Sequence, residues 1–319
     1  MLKKSCYEPL DTLFNALIHA LRPSRRFALV LCALAAALFF ILSAGYSAFA
    51  AEEDKRIYSA EFEKNAVTYI FGENTNVRRS GRIEAGNIVV KLEAGRKVKI
   101  LSKGAEHTID GFTQNWYEIE YEAGGKTGTG FVWGGFLAMA FVFMGGEEKG
   151  GAAIALTGIK KYSQKEGFTA ELRVCENGKV MSRVEFIPHN MAGGEKQSAY
   201  SYGVSASMTG PAGLAGVKNI IRINCAYEAC GYPNGSSYFA WDGKETKYIM
   251  KDEYISEAGC FHYEKKVIFP EDKGGEKGRI VVEEKSSEFD EAKNDYILKS
   301  SKKEFFEFKA GNLLKIKKY

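Results

Sequence analysis

Cysteine and histidine are the residues whose chemistry is easiest to test in this sequence, because a Cys–His pair can make a nucleophile. Cys260 and His262 stand two residues apart, with Phe261 between them. On a β-strand this spacing puts both side chains on one face at about 7 Å, too far for a direct hydrogen bond. Cys230-Gly231 lacks the small polar neighbours that surround a cysteine nucleophile at the start of a helix. We therefore expect no catalytic residue and no enzyme.

Motifs that bind metals or cofactors are missing from the sequence as well. It contains no G-x-S-x-G elbow, no phosphate-binding P-loop and no H-E-x-x-H. No two cysteines have the C-x2-C spacing typical of zinc sites. The glycines of Gly124-x-x-x-Gly128-x-Gly130 fall on a predicted β-turn and not before a helix. We predict no metal and no cofactor.

The amino terminus has the features of an export signal. Arginines precede the apolar run Phe27–Leu42, and small residues ending in Ala48-Phe49-Ala50 follow it. A basic region, an apolar stretch and an A-x-A site predict a signal peptide over 1–50, cleaved after Ala50. The alternative is an uncleaved anchor helix, which would be the chain's one link to a membrane. The protein is expected in the periplasm, on the cell surface or in the medium.

Four cysteines follow this signal, and an even number in an oxidising compartment suggests disulfides. Their spacing allows three pairings, and buried free thiols are the alternative. The candidates are Cys175, Cys225, Cys230 and Cys260.

Net charge argues against nucleic acid as a partner. The whole chain carries 44 basic and 40 acidic residues, a formal +4, and much of that excess lies in the signal. A nearly neutral mature chain offers no basic face for a phosphate backbone.

Short alternating segments separated by glycine turns dominate the region after an extension over 51–65. Val67, Tyr69 and Phe71 are spaced by two, and Trp116 to Tyr121 alternates in the same way. No helical periodicity interrupts them. Five or six such strands predict a small all-β barrel over 66–143.

Four blocks of this region, in order and spacing, resemble the bacterial SH3-like domain. Its usual string reads N-V-R-S-G, L-x-x-G-x-x-V-x-V, W-x-x-V and G-W-V. The chain has Asn76-Val77-Arg78, then Leu92 to Ile100, then Trp116 to Ile119, then Gly130-Phe131-Val132. It differs from the family in having Phe131 for Trp and a longer loop over 104–115.

The resemblance implies an accessory module of an exported bacterial protein that binds peptidoglycan, a peptide or a neighbouring protein. A small barrel can offer an aromatic groove to an extended ligand, and an arginine can pair with a carboxylate. The alternative is that these side chains fill the core and brace a turn. The candidate ligand-binding residues are Tyr69, Arg78, Trp116, Tyr117 and Trp133.

A Gly-rich stretch over 144–151 predicts a linker, and residues 152–319 again have strand-like alternation. Asn177-Gly178 and Asp242-Gly243 each separate two alternating runs, which is a strong hairpin signal. These hairpins predict a larger β-rich domain, either a sandwich or a propeller-like sheet.

Together these features predict an all-β, exported, non-enzymatic envelope protein whose partner is cell-wall polymer or an envelope protein. The alternatives are a cell-wall hydrolase with an unfamiliar active site in the second domain, and a scaffold of an envelope complex.

Overall fold

A computed structural model describes residues 61–145, 153–163, 167–189, 203–226 and 230–316. All of them lie in one compact unit, Arg56–Tyr319. The predicted signal peptide and most of the predicted linker fall outside the described residues. Strands make up 67% of the described chain and it contains no α-helix, so the predicted all-β class is confirmed.

The first sheet contains six antiparallel strands in the order β1-β4-β5-β6-β2-β3 and is curled into a half-barrel. A 3-10 turn, η1 (Gly134–Phe136), follows its last strand. Its own core is apolar and includes the fully buried Ile100, Tyr117 and Ile119. The strands are β1 (Val67–Tyr69), β2 (Thr75–Arg78), β3 (Ile88–Leu92), β4 (Lys97–Ile109), β5 (Phe112–Ala123) and β6 (Lys126–Trp133).

Three further antiparallel sheets follow in chain order, each a meander of consecutive strands. The second sheet contains β7 (Ala140–Phe143), β8 (Ile154–Ser163), β9 (Gly167–Glu176) and β10 (Lys179–Phe186). The third contains β11 (Gly203–Thr209), β12 (Asn219–Ala226), β13 (Gly235–Trp241) and β14 (Thr246–Lys251). The fourth contains β15 (Glu253–Glu257), β16 (Phe261–Ile268), β17 (Ile280–Asp290), β18 (Asp295–Lys309) and β19 (Asn312–Ile316).

The sheets share cores across their faces. Ile221 and Phe239 of the third sheet pack with Leu172 of the second. Ile220 and Ala240, on the other face of the third sheet, pack with the fourth sheet. Face-to-face packing of this kind occurs between the sheets of a sandwich and between the blades of a propeller, so it fits both predicted alternatives.

Turn chemistry sets the register of the hairpins. Asn177 and Gly178 have φ of 49° and 78°, the left-handed pair that a two-residue turn requires, and they join β9 to β10 as predicted. Asp110 and Gly111 do the same between β4 and β5, with φ of 51° and 77°. The region 104–115, expected as a loop, is instead the far end of this hairpin, because β4 and β5 stay paired to Ile109–Phe112.

Candidate functional site

The four predicted ligand-binding aromatics are all buried, and the structure does not bring them to one groove. Tyr117 lies in the core of the first sheet, where its hydroxyl accepts a hydrogen bond from the Phe62 amide at 3.2 Å. Trp116 lies in the core that the first three sheets share. Tyr69 and Trp133 line two different cavities. These last two therefore lie next to space that a ligand can enter.

Arg78, the predicted carboxylate partner, supports the turn that follows β2. Its Nη1 donates to the Glu84 carbonyl at 3.2 Å and to Asn87 Oδ1 at 2.6 Å. Asn87 in turn donates to the Arg82 carbonyl at 2.9 Å. This geometry agrees with the turn-bracing alternative.

The first cavity, which we call the Trp133 cleft, has a volume of about 380 Å³ and lies between the first and second sheets. Its first-sheet wall comes from the β1–β2 turn, from the β4–β5 hairpin tip and from η1. Its second-sheet wall comes from β8 and β9. The volume is within the range of small-ligand sites, about 300–1,000 Å³.

Aromatic rings form one part of this cleft. The Trp133 ring lies 5.5 Å from the Phe112 ring and 5.3 Å from the Phe136 ring, both edge-to-face. Trp133 is fixed by a 2.8 Å hydrogen bond from Nε1 to the His107 carbonyl. Gly135 packs on the Trp133 ring, and a Cβ there would come within 2.0 Å of it. Glycine at position 135, two residues after Trp133, therefore allows the ring to take this position.

Charged groups of β8 and β9 form the other part of the cleft. Arg173 donates from Nε to the fully buried Glu171 and from Nη1 to the Phe71 carbonyl at 2.5 Å. Its guanidinium also lies 4.1 Å from the centre of the Phe71 ring. Lys160 Nζ lies 3.2 Å from Glu171 Oε2.

Glu171 is ionised in this setting. Burial alone raises the pKa of a carboxyl group, but Arg173 and Lys160 outweigh burial and hold the pKa of Glu171 below its ordinary value. The buried carboxylate thus fixes the two cations that face the cleft.

Two polar atoms in the cleft lack partners within the described part of the chain. Thr75 Oγ1 and Asn76 Oδ1 are buried from solvent and form no hydrogen bond there. Both residues line the cleft, and Thr75 is only 4% exposed. Because an unsatisfied buried polar atom is costly, a ligand can satisfy this pair only if the cleft wall shifts enough to open the two atoms to it.

The second cavity, the Tyr69 groove, is larger at about 850 Å³. Lys99 and Glu120 stand opposite each other on β4 and β5 in its wall. Cys175 also lines it, and burial raises the pKa of this thiol to about 11. The wall of the Tyr69 groove contains both basic and acidic side chains. Of the predicted ligand-binding residues, Tyr69 alone lines this groove.

Of the candidate disulfide cysteines, Cys175, Cys225 and Cys230 are free thiols within the described part of the chain. Cys175 and Cys225 are buried within strands of two different sheets. Cys260 lies in the turn before β16, so it does not share a strand face with His262.

Sequence reasoning missed a polar cluster around His189. The imidazole is buried, its Nδ1 lies 3.3 Å from Glu253 Oε2, and the His189 backbone amide donates to the Cys225 sulfur. The hydrogen bond from His189 lowers the pKa of Glu253, and burial raises the pKa of Cys225 to about 12.

A thiol with so high a pKa is a weak nucleophile at neutral pH. Among the described residues no cluster of His, Cys, Asp or Glu has the arrangement of a metal site. His189, Cys225 and Glu253 lie far apart in sequence, so no local motif marks this polar cluster. The one sequence signal is an isolated histidine after Pro188.

Comparison of the chain with protein-family models, with curated proteins and with solved structures finds no match in any of the three. In the part of the chain that the structure describes, no helix has the length and apolar character needed to cross a bilayer.

Proposed function

We propose that this chain is an exported, non-enzymatic binding protein of the bacterial cell envelope, and that the Trp133 cleft holds cell-wall polymer. The observation that carries the proposal is the cleft itself. It combines aromatic walls, two cations held by a buried carboxylate, and two buried polar atoms with no partner in the described chain.

Cell-wall polymer has the chemistry to use each of these groups. Sugar rings present apolar faces that stack on aromatic side chains such as Phe136 and Trp133. Their hydroxyl and acetamido groups can bond with Thr75 and Asn76, and stem-peptide carboxylates can approach Lys160. A cleft with few placed polar groups and aromatic walls is the usual form of a small-ligand site.

Export and wall binding are supported by the amino-terminal signal pattern and by the four-block resemblance to the bacterial SH3-like domain. The resemblance places the ligand on the barrel, whereas the cleft lies where the barrel meets the second sheet. In the proposal both sheets therefore contribute to binding.

Sedimentation of the full chain with purified insoluble peptidoglycan tests the proposal. Phe136 is partly exposed on the cleft wall, so Phe136→Ala should weaken binding about tenfold without unfolding the protein. The matched control is Tyr254→Ala, since Tyr254 is an exposed aromatic of the fourth sheet outside the cleft.

Wild-type protein that stays in the supernatant would refute wall binding. Equal binding by wild type and Phe136→Ala would move the ligand out of the cleft. Soluble fragments released from the polymer would instead favour the hydrolase alternative.

A further inference from the structure

Within the part of the chain that the structure describes, strand β3 is an open edge of the first sheet. It is the last strand in the sheet order and pairs with β2. The other edge of this sheet is extended past β1 by a bridge between Ile70 and Leu137. The β15 edge of the fourth sheet is likewise covered by a bridge between Asn234 and Tyr254. An open edge presents backbone groups to which another strand can bond.

Exposed apolar side chains are concentrated at this edge. Ile83, Ile88 and Val89 are 54%, 42% and 47% exposed. The pairing of β3 with β2 shifts register between Ile88 and Val90, leaving Val89 as the extra residue of a bulge. Bulges redirect side chains, which accounts for two neighbouring residues of one strand both facing solvent.

Basic residues surround these apolar side chains. Arg79 and Lys91 are exposed and form no ion pair within the described chain, while Arg82 pairs with Glu84 at 2.8 Å. The Arg78 guanidinium donates to two uncharged groups, the Glu84 carbonyl and the Asn87 side-chain oxygen. The surface formed by Ile83, Ile88, Val89, Arg79 and Lys91, which we call the β3 edge patch, is therefore apolar and positively charged.

The turn beside the patch is already ordered. Asn87 is buried, its carbonyl accepts from the Arg79 amide at 2.8 Å, and its side chain bonds to Arg78 and Arg82. A partner would thus meet a surface that needs little ordering on binding, which lowers the entropic cost.

We propose that the β3 edge patch binds an extended acidic segment of a partner protein, which adds as a strand beside β3. Backbone hydrogen bonds of an added strand supply affinity, and side chains at alternate positions supply specificity. An acidic segment complements the unpaired Arg79 and Lys91, and its apolar residues cover Ile88 and Val89. A peptide can form a β-ladder with the backbone of β3, whereas a lipid surface cannot. The strand edge therefore favours a peptide over a membrane as the partner.

This site shares no residue with the Trp133 cleft, so it is independent of wall binding. The probe is a fluorescent ten-residue peptide of alternating glutamate and valine, titrated against the full chain and followed by anisotropy. The reversed-charge peptide of alternating lysine and valine is the control ligand. The acidic peptide should bind at least about tenfold more tightly.

Val89→Glu should weaken binding of the acidic peptide about tenfold, because it replaces an exposed apolar contact with a charge that repels the glutamates of the peptide. Leu314→Glu is the matched control, since Leu314 is similarly exposed on strand β19, and it should bind as wild type does. Binding should also weaken as salt rises, because charges at the patch are screened.

Equal affinity for the two peptides, no measurable binding, or equal affinities of the Val89→Glu and Leu314→Glu proteins would each overturn the proposal. Binding to anionic lipid vesicles with no binding of the acidic peptide would also overturn it in favour of a membrane surface.

Discussion

The two faces of strand β9 are both buried but have opposite chemistry. Ala170, Leu172 and Val174 turn toward the third sheet and lie in an apolar core. Glu171 and Arg173 alternate with them and form an ion pair on the face toward the first sheet. Strand β9 thus has an apolar face toward the third sheet and an ion pair on the face toward the first sheet.

This difference shows that one face of β9 contributes mainly to stability, whereas the other holds charged side chains in the positions that the site needs. An apolar face is stabilised by burial alone and tolerates exchange among side chains of similar volume. A charged face holds its partners in fixed geometry, because a buried ion that loses its counter-ion is strongly unfavourable. The Trp133 cleft takes Arg173 from the charged face, while Phe112 and Trp133 of its aromatic wall belong to the apolar core.

The largest effect should come from breaking the charged face. Glu171→Gln removes the counter-ion of Arg173, while Lys160 keeps Glu185 as a partner, and should lower the free energy of unfolding by about 3–5 kcal/mol. Chemical denaturation measures the loss. The double variant Glu171→Leu with Arg173→Met is the control and should be much closer to wild type, because no lone charge remains. Similar losses in both proteins would contradict this account of the face.

Truncation of the apolar face should cost slightly less. Leu172→Ala opens a cavity in the shared core and should destabilise the protein by about 2–5 kcal/mol. Met181→Ala, at an exposed position of β10, should change the free energy by about 0.5 kcal/mol or less. Binding of cell-wall polymer by the folded protein should survive Leu172→Ala, since Leu172 does not line the cleft. Selective loss of binding would show that the faces are coupled.

The free energy of unfolding should depend on pH differently for variants of the two faces of β9. The pKa of Glu171 is lower in the folded protein than its ordinary 4.5, so its contribution is complete above about pH 4.5 and is lost as the pH falls through the folded value. The stability gap between wild type and Glu171→Gln should therefore shrink in acid. The gap between wild type and Leu172→Ala should stay nearly constant. Unfolding curves at several pH values would test both, and a constant Glu171 gap would refute the role of its charge.

The smallest effect is expected at the turn that ends β9. Gly178 has φ of 78°, and a Cβ there would also meet the flexible Glu93 carboxylate of the first sheet. Gly178→Ala should cost about 1–2 kcal/mol. Gly145→Ala is the control, because nothing lies within 4 Å of a Cβ at that position. Thermal unfolding of the two variants compares them, and equal midpoints would show that the turn tolerates the change.

Local patterns were sufficient for the strands and hairpins. Alternation and the Asn177-Gly178 turn predict the β9–β10 hairpin, because both act between residues close in sequence. Asp110-Gly111 carries the same signal, yet the sequence reading treated it as part of a long loop.

The sites depend on contacts that sequence patterns do not contain. Arg173 reaches the Phe71 carbonyl across 102 residues, and His189 meets Glu253 from another sheet. Alternation predicts that Glu171 and Leu172 face opposite sides, but it does not reveal that both sides are buried. For the same reason Trp116 and Tyr117, suited by type to grip a ligand, turn out to be core residues.

Hydrogen exchange of the full chain with and without a soluble peptidoglycan fragment tests the central claim most directly. The account predicts slower amide exchange on binding in two segments, the turn 71–76 and the hairpin tip 109–112, because both line the Trp133 cleft. Unchanged exchange in both segments at saturating fragment, or protection confined to other strands, would contradict it.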